Sequence, residues 1–386
     1  MTSQISMTLI LTSRYHLFIL LMSVLTSCIQ HNTENEKPEI ISVSDTVVLK
    51  YAEGFQVNYK TDIIEIITRS LDGNSFFSDS IFILTGEEKD TKQSSNWFLN
   101  KSPDVLACQS STHLAFLEAL NCLDKVKGMC GMEYMPDGKL KDELIKNQVV
   151  EICNSEALNM ELLQKVNPDL FMIYPFETEG KNKYESTGIK TLFIAEYLEK
   201  SALARLEWIK LFGLILNKTT EANVFFDNTE KEYLDLKSKS KNDSLTFILN
   251  LPYRDSWYMP SAGSLLVRLI EDAGLNYFYP ETGSTENDIH SSEEVWNDGT
   301  VADYWIIIAG RPADFSLEDL VNEQPVYAEF KSVKNKNVIF CNSSETDYFT
   351  RGVIEPQVIL KDLLFVLGAV NDHNPVYFKR LTDQVN

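Results

Sequence analysis

The chain has 386 residues with 35 basic and 56 acidic side chains, a formal net charge of −21, and is 44% hydrophobic and 24% charged. That composition excludes a disordered chain and a polytopic membrane protein, and the length suits two domains or one large one with an ample core. The acidic balance argues against nucleic acid as a partner and against a peripheral grip on anionic lipid, since both need a basic footprint.

Residues 1–27 contain one charged side chain, Arg14, ahead of an apolar run from Leu17 to Leu25. The run is too short to span a bilayer comfortably and reads as a secretory signal. It ends in Leu25-Thr26-Ser27-Cys28, which resembles the bacterial lipobox, where the cysteine sulfur takes a diacylglyceryl group. Attachment to the bilayer through Cys28 is therefore expected, with a plain signal peptide as the alternative. Residues 28–40 are polar and aperiodic and read as a tether.

Residues 41–103 have a strand-like pattern in Val47–Leu49, Phe55–Tyr59, Ile63–Ile67 and Ile81–Leu84, with Asp72-Gly73-Asn74 as a turn, and predict a small antiparallel β layer. From Asp104 the pattern changes. A short strand ends at Cys108, Ser110-Ser111-Thr112 supplies N-cap chemistry, and Leu114, Leu117, Leu120 and Leu123 mark a helical face. Strands at Lys125–Met129, Leu170–Tyr174 and Lys190–Ile194, with a helix at Leu158–Val166, complete an α/β lobe over 104–195. A long helical stretch, Ser201–Leu236, follows within a linking segment 196–240 and breaks once near Asn217. A second α/β series over 241–386 has strands at Leu245–Leu251, Asn276–Tyr279, Tyr304–Ala309 and Val338–Cys341. Its helices are Ser264–Ala273, Glu293–Asn297, Ser316–Val321 and Val353–Leu367.

Of six cysteines, Cys108, Cys122, Cys130, Cys153 and Cys341 follow Cys28. The spacings of the first four, 14, 8 and 23, fit neither zinc ribbons nor common iron–sulfur runs. Buried free thiols are preferred for most of them, and a disulfide among those four is left unassigned. A faint repeat is present. Glu161 precedes Asp169 and an apolar strand by 8 positions, and Glu293 precedes Asp303 and another by 10. With the central helix this implies two similar lobes.

These residues also carry a family likeness. Asp104 to Gly128 with Ser-Ser-Thr-His at 110–113, Met160-Glu161-Leu162-Leu163 before Asn167-Pro168-Asp169-Leu170, and Ala204–Phe212 resemble the periplasmic substrate-binding proteins of iron-chelate and vitamin B12 importers. Trp257-Tyr258-Met259-Pro260, Asp272-Ala273-Gly274, Ala302–Trp305, Asp347-Tyr348-Phe349 with Arg351-Gly352, and Val358–Asp362 continue it, so that it covers about residues 44–380. The resemblance implies two Rossmann-like α/β lobes joined by a long rigid helix, little hinge motion, a ligand cleft between the lobes and an ABC importer permease as partner. It also implies one acid per lobe that meets permease arginines, at Glu161 and Glu293.

The same cleft follows from the rule that open parallel sheets bind ligands beyond the carboxyl ends of their strands. The loops there hold Ser111, Thr112, His113, Glu133, Tyr134 and Tyr174 in the first lobe, and Tyr253, Trp257, Tyr258, Arg311 and Tyr348 in the second. An aromatic collection with a few polar donors suits a bulky or flat ligand, and Arg254, Arg311 and Arg351 suit its carboxylates. The expected ligand is a metal chelate, whether ferric siderophore, haem or cobalamin, bound without a cofactor or a metal site of the protein's own. Two alternatives stand beside it. One is a bare metal ion held by His113, His290 and Glu133. The other is a surface lipoprotein hydrolase, although no Gly-x-Ser-x-Gly elbow, phosphate loop or His-Glu-x-x-His motif is present. The expected location is the cell envelope, lipid-anchored on the periplasmic side, with inner or outer membrane left open.

Overall fold

The computed structural model describes residues 46–71, 78–85, 97–99, 102–154, 157–174, 184, 187–241, 244–280 and 287–383. The signal segment, Cys28, the tether, the Asp72-Gly73-Asn74 turn and Pro175-Phe176 lie outside the described residues. No helix among the described residues is long and apolar enough to cross a membrane.

The first strands are β1 (Phe55–Tyr59), β2 (Ile63–Arg69), β3 (Ser78–Leu84) and β4 (Trp97–Leu99), in the order β1-β2-β3-β4. Along β2, Ile64, Ile66 and Thr68 point inward and their neighbours outward, the period of a half-buried strand. β4 runs parallel to β3, so the sheet is mixed rather than the antiparallel layer expected. Val47–Leu49 is not a strand. It belongs to an extended segment whose neighbouring amides bond side chains: Lys50, Tyr51 and Ala52 donate to Glu207, and Glu53 and Gly54 to Glu199.

The first lobe contains β5 (Leu106–Cys108), α1 (Ser111–Ala119), β6 (Val126–Met129), α2 (Lys139–Lys146), β7 (Val150–Glu151), β8 (Cys153–Asn154), β9 (Ala157–Leu158), α3 (Met160–Val166), β10 (Leu170–Ile173) and β11 (Thr191–Phe193). Its main sheet is parallel throughout, in the order β11-β10-β5-β6-β7. β5 and β10 are buried at every position, as strands covered on both faces must be. The β-rich extension docks on its β11 edge, where Asp79 accepts the Phe193 amide at 3.1 Å and Lys190 donates to the Phe98 carbonyl at 2.7 Å.

The linker is three helices, α4 (Ala202–Glu207), α5 (Ile209–Ile215) and α6 (Thr219–Lys237). The chain turns at Asn217, which adopts φ 55°. α5 and α6 then pack so closely that a Cβ at Gly213 would lie 2.5 Å from that of Ala222. The long connector is thus α6, whose 19 residues span about 28 Å. The second lobe contains β12 (Thr246–Leu249), β13 (Ser256–Met259), α7 (Leu265–Asp272), β14 (Asn276–Tyr277), β15 (Asp288–Ser291), α8 (Ser292–Gly299), β16 (Tyr304–Ala309), α9 (Leu317–Glu323), α10 (Lys331–Lys334), β17 (Val338–Asn342), α11 (Tyr348–Arg351), α12 (Pro356–Val366) and β18 (Lys379–Arg380). Its main sheet runs β14-β12-β16-β17-β18 and is parallel except at β18.

The repeat in the sequence corresponds to one device used twice. Asp169, just before β10, accepts the Asp104 and Val105 amides at 2.9 Å and ties down the start of the neighbouring β5. Asp303, just before β16, accepts the Thr246 amide at 2.9 Å and does the same for β12. The lobes meet where α1 packs on α11 and α6 on α12. α1 leaves the carboxyl end of β5 and α11 follows that of β17, so both sheets present carboxyl-end loops to one seam.

Candidate functional site

In the first lobe the strand order reverses between β5 and β10, the position at which open sheets form a crevice. Ser110 caps α1 there. Its hydroxyl accepts the Thr112 amide at 3.2 Å and bonds both the Thr112 hydroxyl and the Tyr174 phenol. Gln109 fixes the other side of Tyr174 by accepting its amide at 2.8 Å. Burial, helped by the nearby Glu196 charge, pushes the Tyr174 phenol up, so it stays neutral at physiological pH. Ser111, Thr112 and Tyr174 are therefore gathered at one corner. His113 is not a cleft residue. It is fully buried against Tyr174 and Phe212, and neither ring nitrogen has a hydrogen-bond partner among the described residues. Desolvation, partly offset by Glu196, holds its pKa at about 4.

After β6 a short turn carries Glu133 and Tyr134, both exposed, with Tyr134 at 70%. The second lobe presents a comparable rim. Tyr253 and Ser256 exchange two backbone hydrogen bonds across a tight turn that projects Arg254, whose guanidinium lies 5.1 Å from the Tyr253 ring. β13 then pairs antiparallel with β15, opposing Tyr258 to Ile289 and Trp257 to His290. Tyr253 and Tyr258 are exposed. Ile289, a lone aliphatic in a polar stretch, is exposed beside Tyr258 and was not anticipated.

Trp257 points the other way and is fully buried, correcting its assignment to the cleft wall. Its indole donates to the Leu249 carbonyl at 2.8 Å, and Trp305 donates to that of Asn250 at 2.7 Å. Together with Tyr327 and Phe330 these rings brace the carboxyl end of β12 from behind. Arg311 holds Glu323 through two hydrogen bonds of 2.9 and 3.1 Å, so its fork is already occupied, while Asn342 fixes its backbone. Tyr348 is half-buried, packed edge-on against Phe349, Tyr377 and Phe378, and burial pushes its phenol up. With Arg205, Ala202 and Phe349 it lines a crevice of about 60 Å³ between α4 and α11. Phe349, 62% exposed, is a second apolar side chain that sequence reading missed.

Arg351 is not a chelate-binding arginine. It donates to both Glu118 oxygens at 2.7 and 2.8 Å and to Glu355 at 2.6 Å, joining α1 of one lobe to α11 and α12 of the other. It borders a cavity of about 420 Å³ that also takes Asn121, Asp124, Lys139 and Phe225 into its walls, at the far end of α1 from Ser110.

The acids expected to face a permease occupy equivalent places. Glu161 is the second residue of α3 behind the N-cap Asn159, and Glu293 the second of α8 behind the N-cap Ser291. Both are exposed and neither pairs with a described residue. The three described histidines do not converge. His290 stacks on Tyr279, and His373, overlooked in the sequence, bonds Asp362 at 2.6 Å. Among the described residues only Cys130, Glu151 and Cys153 bring three metal-type ligand atoms together, and the two sulfurs are joined in a disulfide. Cys108, Cys122 and Cys341 are free and buried.

The periplasmic binding protein family profile matches residues 106–345, across both lobes and the linker. The chain is 26% identical to the uncharacterized lipoprotein MJ0878 of Methanocaldococcus jannaschii, with 91% of each covered. A periplasmic haem-binding protein from Pseudomonas aeruginosa matches with a TM-score of 0.57 at 12% identity, covering 74% of this chain and 100% of that one. BauB, a siderophore-binding protein solved with a complex of two acinetobactin molecules and ferric iron, matches with a TM-score of 0.56 at 18% identity, covering 70% and 94%. This chain thus belongs to the periplasmic binding protein family and has the α/β fold of its iron-chelate and vitamin B12 type.

Proposed function

We propose that this protein is the lipid-anchored receptor of an ABC importer, capturing a metal chelate between its lobes and handing it to a permease. The observation that carries this reading is the set of large apolar side chains left exposed on segments beyond the carboxyl ends of the sheet strands: Tyr134 after β6 in one lobe, and Tyr253 after β12, Tyr258 and Ile289 on the β13–β15 ribbon and Phe349 on α11 in the other. Exposed apolar surface of this kind, rimmed by polar groups, marks a binding surface rather than a fold requirement. Ser111, Glu133, Tyr174 and Tyr348 supply the polar margin, whereas Thr112 is buried and the Arg311 fork is taken by Glu323. The haem and siderophore ligands of the fold neighbours support a chelate as cargo, and a relative described as a lipoprotein supports anchoring at Cys28. The scattered histidines favour a chelate over a bare ion.

Glu161 and Glu293 are the proposed permease contacts. Their matching place in the first turns of α3 and α8 leaves each carboxylate exposed and without a partner among the described residues, available for long-range attraction to arginines. Reversing both charges (Glu161→Lys with Glu293→Lys) should cut uptake of a radio-iron chelate by cells at least tenfold while leaving chelate affinity within twofold. Lost affinity would place these acids in the cleft, and unchanged uptake would remove their docking role.

A further inference from the structure

The turn that presents Tyr134 is held by two devices, a buried disulfide and a carboxylate. Cys130, directly after β6, is joined to Cys153, 23 residues later. Between them in space, the Glu151 carboxylate accepts the amides of Gly131 at 3.0 Å, Met132 at 2.8 Å and Cys153 at 3.1 Å. Gly131 sits at φ +83°, a conformation few other residues adopt, and its carbonyl accepts the Tyr134 amide at 3.1 Å. One carboxylate and one covalent link thus fix every residue from Cys130 to Met132, and the tyrosine that follows is ordered yet exposed.

Building on the chelate-receptor reading, we propose that Glu151 and the Cys130–Cys153 disulfide are positioning residues for Tyr134, so that chelate affinity depends on the redox state of that disulfide. A dithiol reductant would pass two electrons and two protons to the pair, leaving two thiols and its own cyclic disulfide. The link between Cys130, directly after β6, and Cys153, at the start of β8, is then gone, only hydrogen bonds such as those to Glu151 and from the Cys130 amide to the Cys108 carbonyl restrain the turn, and the loosened segment must be ordered again when ligand binds. That ordering weakens association without removing any contact.

The test titrates haemin and ferric tris-catecholate into the wild type, Tyr134→Ala and Glu151→Gln, each with and without dithiothreitol, and follows amide exchange of the Cys130–Met135 segment. Reduction of the wild type should speed exchange of the Gly131 and Met132 amides and weaken binding about tenfold. Glu151→Gln should add to the effect, and Tyr134→Ala should bind weakly in both redox states, with no further loss on reduction. Equal affinity of the oxidised and reduced wild type overturns the inference. So does an equal reductive loss in Tyr134→Ala, which would indicate general loosening instead. Absence of any binding by the oxidised wild type overturns the functional reading, and this inference with it.

Discussion

Replacing Glu207 with Ala is expected to lower unfolding stability by about 4 kcal/mol, since removing one member of a buried ion pair strands the other. Glu207 is wholly buried and bonds Lys210, itself 3% exposed, at 2.7 Å. Its two oxygens also receive the Lys50, Tyr51 and Ala52 amides at 2.8–3.0 Å. Lys210 reaches the Val48 carbonyl at 2.8 Å and lies 4.1 Å from the Phe226 ring. The variant leaves a buried ammonium without its counter-ion and three amides without acceptors, and each lost acceptor adds to the penalty. Denaturant unfolding with circular dichroism measures the change, and limited proteolysis should find the 46–54 segment newly cleavable. Glu232→Ala, at an exposed position of α6, should change stability by less than about 0.5 kcal/mol. Similar losses in the two variants would refute the account of how the N-terminal segment is held.

His113 should make the protein acid-sensitive. Its pKa is held at about 4 in the folded state against an ordinary value of 6.5, because burial disfavours the imidazolium. The unfolded chain therefore binds a proton that the folded chain refuses between those values. The stabilisation is fully present above about pH 6.5 and is lost progressively as pH falls towards 4, reaching roughly 3 kcal/mol. Below that the folded state is protonated too and the loss levels off. Denaturant unfolding at pH 7 and pH 4 should show the wild type losing about 3 kcal/mol more than His113→Phe, which keeps an aromatic ring against Phe212 and has no titrating group. Parallel stability curves for the two proteins would show that His113 takes up its proton equally in both states.

Much of this architecture was legible in the residues, because parallel strands buried on both faces leave continuous apolar runs such as Leu170–Ile173 and Val338–Asn342. The paired Asp169 and Asp303 were visible for the same reason: each stands where a turn meets such a run. What was not legible depends on partners far away in sequence. Trp257 and Tyr258 are adjacent on a strand, so one must face inward, but which does is set by pairing with Ile289 and His290 across the ribbon. Glu207 reads as an ordinary helix acid until the amides of residues some 155 positions earlier close around it. Arg351 looks available for a ligand carboxylate until Glu118, 233 positions away, takes its fork. The disulfide follows from β6 and β7 lying side by side, a pairing that a two-residue strand does not announce. In the linker the break near Asn217 was legible, but the one at Trp208 was not, because the apolar face continues through it from α4 into α5.

The chelate assignment rests on surface that costs stability to leave exposed, arranged where two parallel sheets end. Direct titration is the decisive measurement. Haemin, cobalamin and ferric hydroxamate and catecholate siderophores are each added to the purified protein while visible absorbance is followed and the chelate is afterwards recovered. The account predicts saturation at one equivalent by at least one of them, with a Kd below about 1 μM and the chelate returned unaltered. Dissociation constants above about 100 μM for all of them, or chemical conversion of the one that binds, would contradict it.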